Sequence, residues 1–171
     1  MKSNQTYKRI HNLYFWNEQN QKCNCGSFAL DVSTWFTPYD NNDGYLEEDR
    51  TATIRSLYQE GFSRKEIMEA IIQRDQEEIL EACPWIEPIL YDEISLEDRI
   101  VAYRIGIQFD DWHEIDEDFH FRVRIGGFWF EKCGEDDIHL CADQNITNIW
   151  YTDENLFYDS DIVYFRFKDK I

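Results

Sequence analysis

The stretch DFHFRVRIGGFWFEKC, residues 118–133, holds two alternating runs separated by two glycines. Aromatic and β-branched residues alternate with polar ones at a period of two, which is typical of strands in an antiparallel sheet. Gly126 and Gly127 supply the backbone freedom that a two-residue hairpin turn requires. This stretch therefore predicts a β-hairpin and favours an antiparallel sheet for the second half of the chain.

The same pattern recurs on both sides of the hairpin. Runs rich in aromatic and β-branched residues predict strands at 99–109, 118–125, 128–133, 145–151 and 161–168. The first half of the chain has helical patterning instead, which predicts helices at 26–36, 46–60 and 63–82. The last of these has the clearest boundaries, since Ser63 and Glu66 form a capping box and Pro84 blocks continuation.

This order of elements predicts an α+β fold in which N-terminal helices pack on a C-terminal antiparallel sheet. We expect a single domain over 1–171, with a helical half at about 1–90 and a sheet half at about 99–168. No apolar run approaches membrane-spanning length, and the five cysteines are an odd number at irregular spacing. These features predict a cytoplasmic protein with reduced thiols and no membrane contact.

Three residues form a candidate catalytic group. Cys25 stands just before the first predicted helix, whose N-terminal dipole would favour a thiolate. The alternation in 118–125 puts His120 on the face opposite Phe119 and Phe121, so His120 is not expected in the core. Burial of the hairpin aromatics requires His120 to lie opposite Trp129, Glu131 or Cys133, and the short turn favours Glu131 as the group that orients the imidazole.

The charge pattern is the second informative feature. The formal net charge is -18, and six of the nine residues from 110 to 118 are acidic. This acidic face comprises Asp110, Asp111, Glu114, Asp116, Glu117 and Asp118. Such a charge disfavours direct nucleic-acid binding and favours either simple solubility or a basic protein partner.

No cofactor and no metal ion are expected. Cys133, His139 and Cys141, with Cys23 or Cys25, have side chains that suit zinc, but their spacings do not match structural zinc modules. The acidic run lacks the glycine and the ligand pattern of a calcium loop.

The order of Cys25, His120 and a polar residue on the next strand resembles the papain-like cysteine hydrolases, including bacterial cell-wall peptidases. Cys25, Gly26 and Ser27 are similar to the start of the papain nucleophile signature, although Phe28 replaces its second cysteine. The hairpin is similar to that of uncharacterised papain-like proteins of Firmicutes and their phages. The resemblance implies Cys25 as nucleophile, His120 as base, Glu131 as orienting residue and Gln19 as the oxyanion-hole glutamine.

Two functions are therefore hypothesised. The first is a papain-like thiol hydrolase that cleaves an amide or isopeptide bond in a protein substrate. The alternative is an acidic nucleic-acid mimic from a phage or mobile element, of the anti-CRISPR or anti-restriction type. Such an inhibitor would occupy a basic channel of a host nuclease and use the hydrolase fold as its scaffold.

Overall fold

The fold is α+β, with a mostly antiparallel sheet that follows three helices in the chain. The computed structural model describes residues 20–41, 44–109, 114–151 and 157–168. Its helices are α1 (Cys25–Leu30), α2 (Glu47–Gln59) and α3 (Arg64–Ala82), with 3-10 turns at Asn20–Lys22 and Tyr91–Glu93. The strands are β1 (Ile86–Ile89), β2 (Ile100–Phe109), β3 (Ile115–Ile125), β4 (Phe128–Glu131), β5 (His139–Leu140), β6 (Trp150–Tyr151), β7 (Phe157–Tyr158) and β8 (Val163–Phe167).

Six of these strands form one sheet in the order β1-β8-β2-β3-β4-β5, and every neighbouring pair is antiparallel. Strands β2 and β3 pair over ten positions, from Ile100 opposite Arg124 to Phe109 opposite Ile115. Strands β6 and β7 form a separate two-stranded ribbon. The long β2–β3 pair is therefore the centre on which the site is built.

The central strands are buried on both faces. Val101 and Tyr103 of β2 join the larger apolar core together with Ile67 and Ile71 of α3. The intervening Ile100 and Ala102 belong to a second core that also contains Trp150 and Tyr158. Because alternate residues of a strand point to opposite faces, the β6–β7 ribbon covers the side of the sheet that faces away from the helices.

The boundaries of α2 and α3 agree closely with prediction. Ser63 caps α3 by accepting a hydrogen bond from the Glu66 backbone N–H at 3.3 Å, and the Ser63 N–H donates to the Glu66 carboxylate at 2.8 Å. The helix ends at Ala82, two residues before Pro84. The predicted capping box is confirmed, since it depends only on residues close in sequence.

The prediction for the first helix is wrong in length, because α1 ends at Leu30 rather than at residue 36. Asp31 adopts a left-handed conformation (φ 63°, ψ 40°), and the chain then turns back to the start of the helix. The Asn24 side-chain amide donates to the carbonyl of Phe36 at 2.7 Å and accepts from the Phe36 N–H at 3.2 Å. This long-range pairing competes with further helical turns.

The strand prediction at 145–151 is also wrong, since only Trp150–Tyr151 pairs. The Asn145 side chain accepts hydrogen bonds from the Thr147 N–H at 3.3 Å and from the Thr147 hydroxyl at 2.8 Å, which stabilises a turn instead. Strand β1 was not predicted because it contains Pro88, which a strand at the sheet edge tolerates.

Candidate active site

One cleft contains the three described residues of the predicted catalytic group. It has a volume of about 720 Å³, and its lining includes Cys25 from α1, His120 from β3 and Glu131 from β4. Close packing of α1 on β3 is possible because Gly26 lies where a Cβ atom would approach Phe36 and Phe121 at 2.9 to 3.2 Å. The structure thus brings together residues that are separated by about a hundred positions in the chain.

Cys25 is the first residue of α1 and is buried. Burial raises the pKa of the Cys25 thiol to about 12, a hydrogen bond from the Phe121 backbone lowers it, and the nearby charge of Asp118 raises it. A helix dipole was expected to favour the thiolate, but α1 has only six residues. Its dipole is therefore small, and the Cys25 thiol is neutral at pH 7 unless a base removes its proton.

Glu131 accepts hydrogen bonds from two partners on one carboxylate oxygen. Its Oε2 lies 3.1 Å from Nε2 of His120 and 2.8 Å from Nε of Arg122. Burial raises the pKa of Glu131, but the hydrogen bonds and positive charges of His120 and Arg122 outweigh burial and lower this pKa to about 2. Glu131 is therefore an anion at neutral pH and can stabilise a positively charged imidazole.

The β3–β4 register that brings His120 and Glu131 together differs from the predicted register. Glu131 pairs with Arg122 across the ladder, and Ile125 pairs with Phe128 around the two-glycine turn. Glu131 therefore reaches His120 diagonally rather than from the directly opposite position. The preference for Glu131 opposite His120 was wrong, because counting outward from the two-residue turn sets His120 level with Cys133, another of the three expected positions.

His120 is also more buried than predicted, with only 5% of its surface exposed. The His120 ring stacks on the ring of Tyr158, with centroids 5.3 Å apart and planes 21° apart. It also meets the Trp150 ring edge-on, with centroids 6.1 Å apart. The Tyr158 hydroxyl donates to Asp118 at 2.7 Å. The β6–β7 ribbon thus holds the imidazole plane from the side opposite the helices, and sequence periodicity did not reveal this cover.

The remaining predicted residues separate into three groups. Gln19, Asp110 and Asp111 lie outside the described residues. Glu114 and Asp116 are exposed. Glu117 forms an ion pair with Arg50, and Asp118 accepts the Tyr158 hydroxyl, so both are engaged within the fold.

Cys133 and His139 also line the cleft and contact or approach the His120–Glu131 pair, although neither was a predicted site residue. Cys133 lies beside the His120–Glu131 pair, with its sulfur within 4.8 Å of their ligand atoms. His139 pairs with Glu131 across β4 and β5, and its Nε2 lies 3.3 Å from Glu131 Oε1. Cys133 was one of the three residues expected opposite His120, whereas no local pattern indicated β5.

No protein-family model, curated protein or solved structure matches this chain. None of the described helices is long and apolar enough to cross a membrane.

Proposed function

We propose that the protein is a papain-like thiol hydrolase that cleaves an amide or isopeptide bond through Cys25. The observation that carries the proposal is that Cys25 and His120 line the same cleft. The His120 imidazole is buried and is hydrogen-bonded to the carboxylate of Glu131. The order of Cys25, His120 and Glu131 along an α+β chain supports the papain-like assignment.

In the proposed reaction, the Cys25 sulfur attacks the carbonyl carbon while His120 accepts the thiol proton. His120 then gives that proton to the leaving amine as the C–N bond breaks, which leaves a thioester on Cys25. A water molecule, deprotonated by His120, hydrolyses the thioester and restores the thiol. Glu131 stabilises the imidazolium form of His120 in both halves of the cycle.

The raised pKa of Cys25 defines what His120 must do. A buried thiol with a pKa of about 12 is a poor nucleophile at neutral pH. If the Cys25 proton moves to His120 during the attack, the sulfur becomes nucleophilic without a thiolate that is already formed in the free protein. The proposal therefore requires the reactivity of Cys25 to depend on His120.

The cleft lining favours a basic substrate. Asp116 and Asp136 line the cleft beside Trp35 and Tyr151, whose side chains are 50% and 69% exposed. Carboxylates attract a Lys or Arg side chain, and exposed aromatic rings can bind the same cation through their faces. A lysine-containing peptide or isopeptide is accordingly the substrate class to test first.

The decisive experiment is alkylation of the metal-free protein with iodoacetamide, with each cysteine mapped by mass spectrometry. Burial raises the pKa of Cys83 and of Cys141 to about 12, as it does for Cys25, so these thiols are internal controls. We expect Cys25 to react at least about tenfold faster than either control at pH 7, because His120 can accept the Cys25 proton during the attack and the control thiols have no such base in the proposal. His120→Ala should remove this advantage, whereas His139→Ala, a change at the exposed histidine of the same cleft, should retain it. A Cys25 thiol as inert as Cys83 would refute the proposal.

The net charge of -18 favours a second candidate, an acidic protein that occupies a basic nucleic-acid channel of a nuclease. Because Glu117 and Asp118 are engaged within the fold, the described residues of the acidic face that remain exposed are Glu114 and Asp116. Reversal of both to Lys should weaken competition with duplex DNA for such a nuclease. Competition that survives these changes and high salt would exclude charge mimicry.

A further inference from the structure

A cluster of three different ligand types lies at the base of the cleft. His120, Glu131 and Cys133 each offer one ligand atom, and these nitrogen, oxygen and sulfur atoms all lie within 4.8 Å of one another. His120 and Glu131 are buried, and Cys133 is half-buried. The cluster is therefore a preformed group of side chains within the fold rather than a chance group of surface carboxylates.

The chemistry of this ligand set selects the ion. Thiolate and imidazole ligands suit Zn²⁺ and other borderline-soft divalent ions, whereas Ca²⁺ and Mg²⁺ prefer oxygen ligands. A tetrahedral ion with ligands at about 2.0 to 2.3 Å separates its ligand atoms by roughly 3.5 Å. The three ligand atoms lie within 4.8 Å of one another, so side-chain shifts of about 1 Å bring them to that spacing and widen the 3.1 Å separation between His120 Nε2 and Glu131 Oε2.

His139 is placed to supply the fourth ligand. Its Nε2 lies 3.3 Å from Glu131 Oε1, and the β4–β5 pairing fixes its backbone directly opposite Glu131. The side chain is 51% exposed, so it can turn toward a bound ion at little cost. An ion that enters from solvent would meet His139 first.

The charges around the cluster are compatible with a divalent cation. Coordination converts Cys133 to a thiolate and releases its proton, so Cys133 and Glu131 together supply two negative charges. Arg122 donates to Glu131 Oε2 at 2.8 Å, which leaves Oε1 as the oxygen that faces His139. Lys132, the neighbour of Cys133, donates to the backbone carbonyls of Gly134 and Asp136 at 2.8 and 2.6 Å and thereby orders the loop after β4.

We propose that His120, Glu131 and Cys133, completed by His139, form a binding site for Zn²⁺ or a chemically similar ion. The site itself does not depend on the proposed hydrolysis. Its regulatory consequence does rest on the proposed function: an ion on His120 and Glu131 withholds the base from Cys25, so the metal-bound protein is the inactive form of the hydrolase.

Metal binding is measured directly on the full chain, first stripped with a chelator. Co²⁺ is added as a spectroscopic probe, and Zn²⁺ is then titrated against a chromophoric chelator. We expect one equivalent of Co²⁺ to give a sulfur-to-cobalt charge-transfer band, together with the visible bands of a tetrahedral site. Zn²⁺ should bind with the same stoichiometry and displace Co²⁺.

Cysteine variants assign the sulfur ligand. Cys133→Ser should abolish the charge-transfer band and weaken Zn²⁺ binding by at least about 100-fold, since the thiolate is the principal soft ligand. Cys25→Ser, the matched change at the other cleft thiol, should retain the band. His139→Ala alters an exposed side chain, so it leaves the fold intact and should weaken Zn²⁺ binding by about tenfold.

Absence of stoichiometric binding to the wild-type protein would overturn the proposal. A band that is lost in Cys25→Ser and kept in Cys133→Ser would overturn it as well. Neither result bears on the alkylation experiment, which uses metal-free protein. Conversely, an inert Cys25 would leave the metal site standing.

Discussion

Nε2 of His120 lies 3.1 Å from Oε2 of Glu131, although Glu131 is paired with Arg122 in the β3–β4 ladder. The carboxylate therefore contacts an imidazole and a guanidinium that occupy neighbouring positions on one face of β3. A single oxygen accepts from both, which couples the orientation of the imidazole to a buried guanidinium. This relationship makes Glu131 the residue on which both the stability and the chemistry of the site depend.

We expect Glu131→Gln to lower the free energy of unfolding by about 3 kcal/mol at pH 7, because it leaves the buried Arg122 without its carboxylate. Urea denaturation measures the change. The matched control is Glu87→Gln, which removes the carboxylate of a half-exposed ion pair with Arg166 and should cost no more than about 1 kcal/mol. Equal losses of unfolding free energy in the two variants would contradict a stabilising role for the buried Glu131 carboxylate.

The lowered pKa of Glu131 also predicts how the free energy of unfolding depends on pH. Its pKa is about 2 in the folded protein and about 4.3 in an unfolded chain. A carboxyl group with a lowered folded pKa stabilises the fold above its unfolded pKa, and this contribution is lost as the pH falls through the folded value. The stability difference between wild type and Glu131→Gln should therefore shrink as the pH falls from about 5 toward 2. Denaturation curves at a series of pH values test this, and a difference that stays constant over that range would contradict it.

A second buried carboxylate holds the helices to the sheet. Asp75 of α3 is fully buried and accepts hydrogen bonds from Arg50 at 2.9 and 3.2 Å and from the hydroxyls of Tyr45 and Tyr103 at 3.1 and 2.5 Å. Asp75→Asn should destabilise the protein by about 3 kcal/mol, because it removes the more deeply buried of the two carboxylates that pair with Arg50. Tyr103→Phe should cost about 1 to 2 kcal/mol, the usual value for one buried hydrogen bond.

The control for this network is Glu77→Gln, which breaks an exposed pair with Arg74 and should change the unfolding free energy by less than about 0.5 kcal/mol. Losses for Asp75→Asn and Tyr103→Phe should not add in the double variant, because both residues belong to one network. Strict additivity would show that the two residues act independently, and an Asp75→Asn variant as stable as the control would show that the network is dispensable.

Sequence reasoning succeeded where the deciding residues were neighbours in the chain. The Ser63 capping box, the Pro84 stop and the alternation of β2 and β3 are local signals, and the structure contains all three elements. The end of α1 depends on Asn24 binding Phe36, twelve residues away. Local propensity does not encode such a contact.

The site was predictable only in part for the same reason. Alternation correctly placed His120 on the face opposite Phe119 and Phe121, but burial of that face requires Tyr158, which comes 38 positions later in the sequence. Cys133 was among the three residues expected opposite His120, but the prediction favoured Glu131, which the observed register pairs with Arg122. The contact of His139 with Glu131 depends on a two-residue strand that carries no periodic pattern.

The β6–β7 ribbon, which covers His120, packs closely against the central strand β2 at Gly106. A Cβ atom at this position would collide with the backbone carbonyl of Phe157 in β7. Because the colliding atoms belong to the backbone, they cannot move aside as the end of a flexible side chain could. We expect Gly106→Ala to cost about 3 kcal/mol, at the upper end for overpacking, because the ribbon must shift away from β2. The Tyr158 ring should then lose its stacking on His120, so the near-ultraviolet circular dichroism of the aromatic residues should change as well.

Gly61→Ala separates this close approach from ordinary backbone strain. Gly61 has a φ of 89° and nothing within 4 Å of the added Cβ, so its substitution should cost only about 1 to 2 kcal/mol and leave the aromatic signal unchanged. If Gly106→Ala matched Gly61→Ala in both measurements, the ribbon would not be tightly seated on β2. The imidazole of His120 would then lack the fixed orientation that the proposed chemistry needs.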